Sequence, residues 1–219
     1  GWVPSDELPH LFDPPSHEII TANHRPAPAD YPHHLGLEWP EPYRAQRITD
    51  LLQGATKLTP NDFARIQADT VSLHAKALVP LLLAHARPHD KPERDAVELL
   101  AGWNANASAD SAGQAIFEQW FYELVPTIVG DDLGPLVTKD YRSRFSFATR
   151  FLVLTLTDPK VAVWCDDVKT PAVETCDDAV TTVLGRAIAE LTRRLGGDIG
   201  RWRWDAVHRA VFPHGGLDS

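Results

Sequence analysis

Asp177-Asp178-Ala179-Val180-Thr181-Thr182-Val183-Leu184-Gly185-Arg186-Ala187-Ile188-Ala189-Glu190-Leu191-Thr192-Arg193-Arg194-Leu195, followed by Gly196-Gly197, reads as one long helix. Val180, Val183, Leu184, Ile188, Leu191 and Leu195 recur three or four residues apart, which gathers them on one side of a 3.6-residue period. Arg193 and Arg194 stand where the helix dipole favours cations, and the glycine pair supplies a stop. An apolar face of this length needs other elements to cover it, and the same period recurs along most of the chain. Tyr43, Arg47, Ile48, Leu51 and Leu52 mark a helix that ends near Gly54. Thr59, Pro60 and Asp62 supply a cap, a first-turn proline and a first-turn acid. Phe63, Ile66, Val71, Leu73, Leu78 and residues 81–83 continue from there, and Pro80 is expected to kink or break that run near Ala77. Lys91-Pro92-Glu93-Arg94 opens a helix carrying Val97, Leu99, Leu100 and Trp103. Asp110-Ser111 caps another, with Ile116, Phe117, Trp120, Phe121 and Leu124 on its apolar face. Pro126, Gly130 and Pro135 then punctuate what is expected to be a loop. Residues 141–156 read as one or two helices with Phe145, Phe147, Phe151 and Leu154, although the β-branched residues after Phe151 would also suit a strand. A short last helix is expected over residues 205–211. The fold class is therefore mainly α, with residues 41–219 forming a helical domain.

The first forty residues differ. They hold eight of the eighteen prolines, and proline at that density removes the N–H groups that helices and central strands use. An extended, irregular segment is expected over residues 1–40. Residues 18–22, Glu-Ile-Ile-Thr-Ala, are its one candidate for a short strand.

Composition limits the functional classes. Hydrophobic residues are 43% and charged residues 23% of the 219, which suits a packed domain and not a disordered chain. The net charge of -9 argues against a nucleic-acid surface, which needs Lys and Arg against phosphate. The longest apolar run, residues 77–84, is interrupted by Pro80 and is far short of the roughly 20 residues of a membrane span. Met is absent. A sequence without an initiator Met is expected to be a processed product or a part of something longer.

Common chemical constellations are missing. No Gly-x-Ser-x-Gly elbow, phosphate-binding loop or Gly-x-Gly-x-x-Gly occurs. His10, His17, His24, His33 and His34 form the densest histidine group, but none of its pairs has the spacing of a helical zinc pair, so no metal is expected there. The acid pairs Asp131-Asp132, Asp166-Asp167 and Asp177-Asp178 suit helix caps or solvent. Trp202 and Trp204 alternate with Arg201 and Arg203, a pattern that suits core packing with arginines reaching out to water. Cys165 and Cys176 flank an acidic, Pro-containing loop. They could be free thiols, or they could close a disulfide worth on the order of 3 kcal/mol, which would indicate an oxidising compartment.

Thr21-Ala22-Asn23-His24-Arg25-Pro26 followed by Tyr43-Arg44-Ala45-Gln46-Arg47-Ile48 resembles the β-chain of the penicillin amidase family, within the N-terminal-nucleophile hydrolases. Gln67-Ala68-Asp69, the Trp103 helix with Asp110-Ser111, Trp164-Cys165-Asp166-Asp167, and the stretch from Trp202 through Arg203-Trp204-Asp205-Ala206-Val207 to His208 extend the resemblance over nearly the whole chain. It implies an amidohydrolase acting on N-acyl substrates, such as acyl-homoserine lactones or penicillins, through an acyl-enzyme. It implies that Asn23 is the oxyanion-hole amide and that Arg44 orders it. From the residues alone, Asn23 could instead make a turn, and Arg44 could instead pair with Asp30 or Glu41. The resemblance further implies that Cys165 and Cys176 bridge, that the protein is periplasmic or extracellular, and that its partners are the remainder of the β-chain and an α-chain. It implies a structural Ca²⁺ with one ligand position near His34, yet imidazole is a poor calcium ligand, so no cofactor or metal ligands are expected here.

One departure stands out. The family's nucleophile is a Ser at the N-terminus of the β-chain whose own amine acts as base, whereas this sequence opens with Gly1-Trp2. The chain is expected to be an internal section of the β-chain, inactive alone. A second reading from another class is a stand-alone helical binding or scaffold module. A natural chain that starts at Gly1 and has no partner chain would favour it.

Overall fold

The computed structural model describes residues 2–54 and 57–212, with the backbone alone at residues 145 and 146. The elements are helices: α1 (Tyr43–Leu52), α2 (Pro60–Gln67), α3 (Leu73–His85), α4 (Lys91–Gly102), α5 (Ala112–Ser143), α6 (Phe145–Thr157), α7 (Cys176–Leu195) and α8 (Trp204–Val207), with three short 3-10 turns. The protein is mainly α.

Local signals account for most boundaries. Thr59 and Asp62 form a capping box at α2, each side chain bonding the other's backbone N–H. Thr175 and Asp178 do the same at α7. Ser111 caps α5, and Gly54 and Gly196 end α1 and α7 in the positive-φ region that glycine tolerates.

Three expectations fail for identifiable reasons. The strand at residues 18–22 does not form, and among the described residues the one β pairing is an isolated antiparallel bridge between Val71 and Asn106. Among the described residues no strand pairs with residues 18–22, so β propensity has nothing to act on. Pro80 does not break its helix; the interruption falls at residues 68–72, and α3 runs through Pro80 to His85. Pro80 and Lys76 are both exposed, which puts the missing hydrogen bond on a side of the helix where an unpaired carbonyl can be hydrated. Pro126 and Gly130 likewise lie inside α5 and not in a loop. That helix breaks only at Gly134, with φ 70° and ψ 170°, and Pro135 then opens its second part, where a missing N–H costs nothing. The ambiguous stretch beyond residue 141 is helical on both sides of Arg144. The Phe145 side chain lies outside the described residues. Trp103 falls just past α4, as its C-cap, and α8 is shorter than the expected last helix.

The core forms where α5 crosses α7. Ile116, Phe117, Trp120 and Leu124 of α5 meet Val180, Val183, Leu184 and Leu191 of α7, and α3, α4 and α6 close around them. The Trp120 indole N–H donates to the Val180 carbonyl at 3.0 Å, so the largest buried side chain leaves no polar atom unmet. Gly185 admits the buried Glu93 of α4: a Cβ there would lie 2.7 Å from Glu93 Oε1. Cys165 and Cys176 are disulfide-bonded, tying a 3-10 turn to the start of α7. Trp202 is buried, its indole N–H donating to the Gly196 carbonyl. The contiguous core begins at Ala75 and includes nothing from the N-terminal segment, which is held by polar bonds instead. Tyr31 donates to the Glu7 carbonyl, and His33 Nε2 lies 2.6 Å from Glu7 Oε2. Trp2, Phe12 and Leu37 of that segment are almost fully exposed.

Candidate active site

Asn23 sits at a bend of the N-terminal segment with φ 62°, a left-handed conformation that Asn adopts more readily than most residues. Arg44 stands on the first turn of α1. Its Nη2 donates to the Ala22 carbonyl at 2.8 Å and to Asn23 Oδ1 at 2.8 Å. A guanidinium has only donors, so the side-chain atom it meets must be the amide oxygen. That bond fixes which way the Asn23 amide points and leaves its NH₂ without a hydrogen-bond acceptor among the described residues. Asn23 therefore makes the turn and also carries an oriented donor. The ion pair offered as the alternative for Arg44 does not form: Glu41 lies 3.8 Å from Arg150, and Arg44 pairs with no acid among the described residues.

One turn further along α1, Arg47 meets Asp69 through two parallel bonds, Nε to Oδ1 at 2.8 Å and Nη2 to Oδ2 at 2.6 Å. Asp69 Oδ1 also accepts from the Val71 N–H at 3.2 Å. The hydrogen bonds from Arg47 hold the Asp69 carboxyl below the usual carboxylate range, and the bond to Asp69 raises Arg47 in turn. Beside Arg44 and Arg47 lies a cavity of about 310 Å³, walled by Tyr43, Ile48, Leu51, Ile66 and Leu73. His74 closes its inner end. The His74 ring is buried edge-on against Phe117 and Phe121, with Nε2 3.2 Å from Thr149 Oγ1. Burial pushes its pKa down to about 4, so it is neutral near pH 7.

The structure thus brings together Asn23 and Arg44. Cys165 and Cys176 lie elsewhere, at the start of α7. Arg47 and Asp69 each lie in a motif of the family resemblance, but their pairing is not among the sequence expectations, and His74 lies in no motif. The i,i+3 spacing of Arg44 and Arg47 was the available signal for the first, while His74 had none, because nothing local marks a histidine as buried. Among the described residues no group of three His, Cys, Asp or Glu side chains is placed to hold a metal ion. His34 is exposed and offers nitrogen, so these residues do not fit the calcium that the resemblance implies. No helix among the described residues is long and apolar enough to cross a membrane.

Comparison with known proteins places this chain in a family. The family model described as penicillin amidase matches residues 1–218. The chain belongs to the penicillin amidase family. It is 32% identical over 117 residues to the penicillin acylase 2 proenzyme of Pseudomonas sp. (strain SE83), covering 53% of this chain and 15% of that protein. It is 28% identical to the acyl-homoserine lactone acylase QuiP of Pseudomonas syringae pv. syringae (strain B728a), covering 95% of this chain and 27% of the relative. The QuiP protein of Pseudomonas aeruginosa (strain PAO1) is 26% identical, with 94% and 26% covered. The chain thus spans about a quarter or less of the length of these penicillin amidase relatives.

Proposed function

We propose that this chain supplies the oxyanion-stabilising part of an exported acylase that cleaves the amide of N-acyl substrates of the acyl-homoserine lactone or penicillin type. The supporting observation is the 2.8 Å bond from Arg44 to Asn23 Oδ1, which turns the Asn23 NH₂ outward as an oriented neutral donor. In the proposed reaction a Ser Oγ attacks the substrate carbonyl carbon and passes its proton to the serine's own α-amine. The carbonyl π bond opens to an oxyanion, which the Asn23 N–H receives. Collapse breaks the C–N bond, the proton goes to the leaving amine, and water later releases the acyl group from Ser. A neutral amide suits this role because it has no proton to lose and adds no charge to the ground state; removal of such a donor typically costs about 10²–10³ in kcat. On this reading the serine nucleophile is supplied by other polypeptide, and the isolated chain is proposed not to turn over. Export is supported by the Cys165–Cys176 bond, since disulfides persist in oxidising compartments.

The test is kinetic, on the complete processed enzyme containing this chain, with penicillin G and N-dodecanoyl-homoserine lactone as substrates. Asn23→Ala is expected to lower kcat by about 10²–10³ with little change in KM. An unchanged kcat overturns the oxyanion role. Failure of the unmodified enzyme to release amine from either substrate overturns the proposed substrate classes, and turnover by the pure 219-residue chain overturns its dependence on other polypeptide.

A further inference from the structure

α1 carries Arg44, yet the fold holds this helix with little apolar burial. Of its ten residues only Ala45 is buried, and its main neighbour among the helices is α3, where the Tyr43 ring meets His74 at 6.0 Å. A helix held so lightly by packing needs another restraint if the guanidinium at its start is to stay within hydrogen-bond distance of Asn23. Arg44 and Arg47 are three residues apart and project from the same side. Arg44 reaches out to residues 22 and 23, and Arg47 reaches inward to Asp69.

Asp69 is itself anchored. Its Oδ1 accepts from the Val71 N–H, and Val71 is paired with Asn106 in the antiparallel bridge. Backbone bonds from Ser72 to the Ala105 carbonyl and from Ala107 to the Thr70 carbonyl flank that bridge. The Trp103 indole N–H donates to the Asn106 carbonyl, and the Trp103 ring packs against Phe117 in the core. A continuous series of bonded or packed groups therefore runs from Asn23 through Arg44, α1, Arg47 and Asp69 to the rigid centre of the molecule. The pair is only 25% and 18% exposed at its side chains, and its two-pronged geometry fixes orientation as well as distance.

We propose that Arg47 and Asp69 are a positioning pair for the amide-cleaving reaction: without touching substrate, they hold α1 so that Arg44 keeps the Asn23 amide aimed at the oxyanion. The inference rests on the oxyanion reading of Asn23. Loss of either partner leaves the other half-buried and unmatched, and α1 is then free to shift and carry Arg44 with it. Because the Asn23 contact strengthens as charge develops on the carbonyl oxygen, misplacement acts on kcat and not on KM.

The experiment is a double-mutant cycle on the complete processed enzyme, measured per active site with the same two substrates. Asp69→Asn is expected to lower kcat by about 10- to 100-fold, the scale of a displacement of about 1 Å, and to leave KM unchanged. Arg47→Lys keeps the charge but loses the fork, so a smaller loss in the same direction is expected. In an Asn23→Ala background neither substitution should lower kcat by more than about twofold, because both act through the residue already removed. If Asn23→Ala lowers kcat while Asp69→Asn and Arg47→Lys leave it intact, the positioning inference falls and the oxyanion reading stands. A full loss repeated in the Asn23→Ala background also overturns the inference, since the pair then acts elsewhere. No effect of Asn23→Ala itself overturns the oxyanion reading. If Asp69→Asn does not fold, Arg47→Lys decides the outcome by the same criteria.

Discussion

Replacing Gly113 with Ala should destabilise the protein, although helix propensity alone predicts the opposite. Gly113 lies in the first turn of α5, just past the Ser111 cap. A Cβ at this position would stand 2.6 Å from Cγ and Cδ2 of Trp103 and 2.9 Å from Cδ1. Carbon atoms are comfortable at about 3.5–4.0 Å, so the ring or the helix must retreat by about 1 Å. The ring has little freedom to do so. Its N–H is bonded to the Asn106 carbonyl at 3.1 Å, its backbone N–H to the Leu100 carbonyl, and its face lies against Phe117. Overpacking of this kind costs about 1–3 kcal/mol, against a gain of at most about 1 kcal/mol for Gly→Ala in a helix. Contacts as short as 2.6 Å to two ring carbons put the cost in the upper half of that range, about 2–3 kcal/mol, so the net loss is about 1–2 kcal/mol, and with about 2–4 °C per kcal/mol for a chain of this size, Tm should fall by roughly 2–8 °C. Gly102, the last residue of α4, is the internal control: no atom lies within 4 Å of a Cβ built there, so Gly102→Ala should leave Tm unchanged or raise it slightly. Thermal unfolding followed by far-UV circular dichroism reads both. A Gly113→Ala Tm equal to or above that of the parent would refute the packing argument.

Two further outcomes follow from the core. Breaking the Cys165–Cys176 bond, by reduction or by the double Cys→Ser variant, should cost about 3 kcal/mol because the short loop it closes regains freedom in the unfolded chain; a urea midpoint that reductant does not move would contradict this. His74 has a folded pKa of about 4 against an ordinary value of 6.5, so in the window between them the unfolded chain takes up a proton that the folded chain refuses. Stability is unaffected by this group above pH 6.5 and falls as pH drops from 6.5 to 4, by up to about 3 kcal/mol in all. His74→Gln should flatten that acid limb in pH-dependent denaturation, and superimposable limbs would exclude the assignment.

Much of this protein could be read locally. The i,i+3 and i,i+4 apolar spacing in residues 177–195, and again around Trp120, identified helices because that period needs only neighbours in sequence. Caps were equally visible at Thr59 and Ser111, where a side chain bonds the backbone three residues on. The failures share one cause. Whether Pro80 or Pro126 breaks a helix depends on how its surroundings accommodate the lost hydrogen bond and the ring, and whether residues 18–22 form a strand depends on a partner edge. Neither condition is a property of the local stretch.

The candidate site divides in the same way. The order of motifs led to Asn23 and Arg44 through family resemblance, since residue types and their spacing survive in a linear pattern. Their mutual contact across 21 positions, the direction of the Asn23 amide, and the partnership of Arg47 with Asp69 exist only in three dimensions. The sequence by itself determined that this chain would be a helical body with a proline-rich leading segment. Only the tertiary structure decided that a lightly packed helix joins the two, because a hydrogen bond is a matter of ångströms and angles between side chains that sequence separation does not encode.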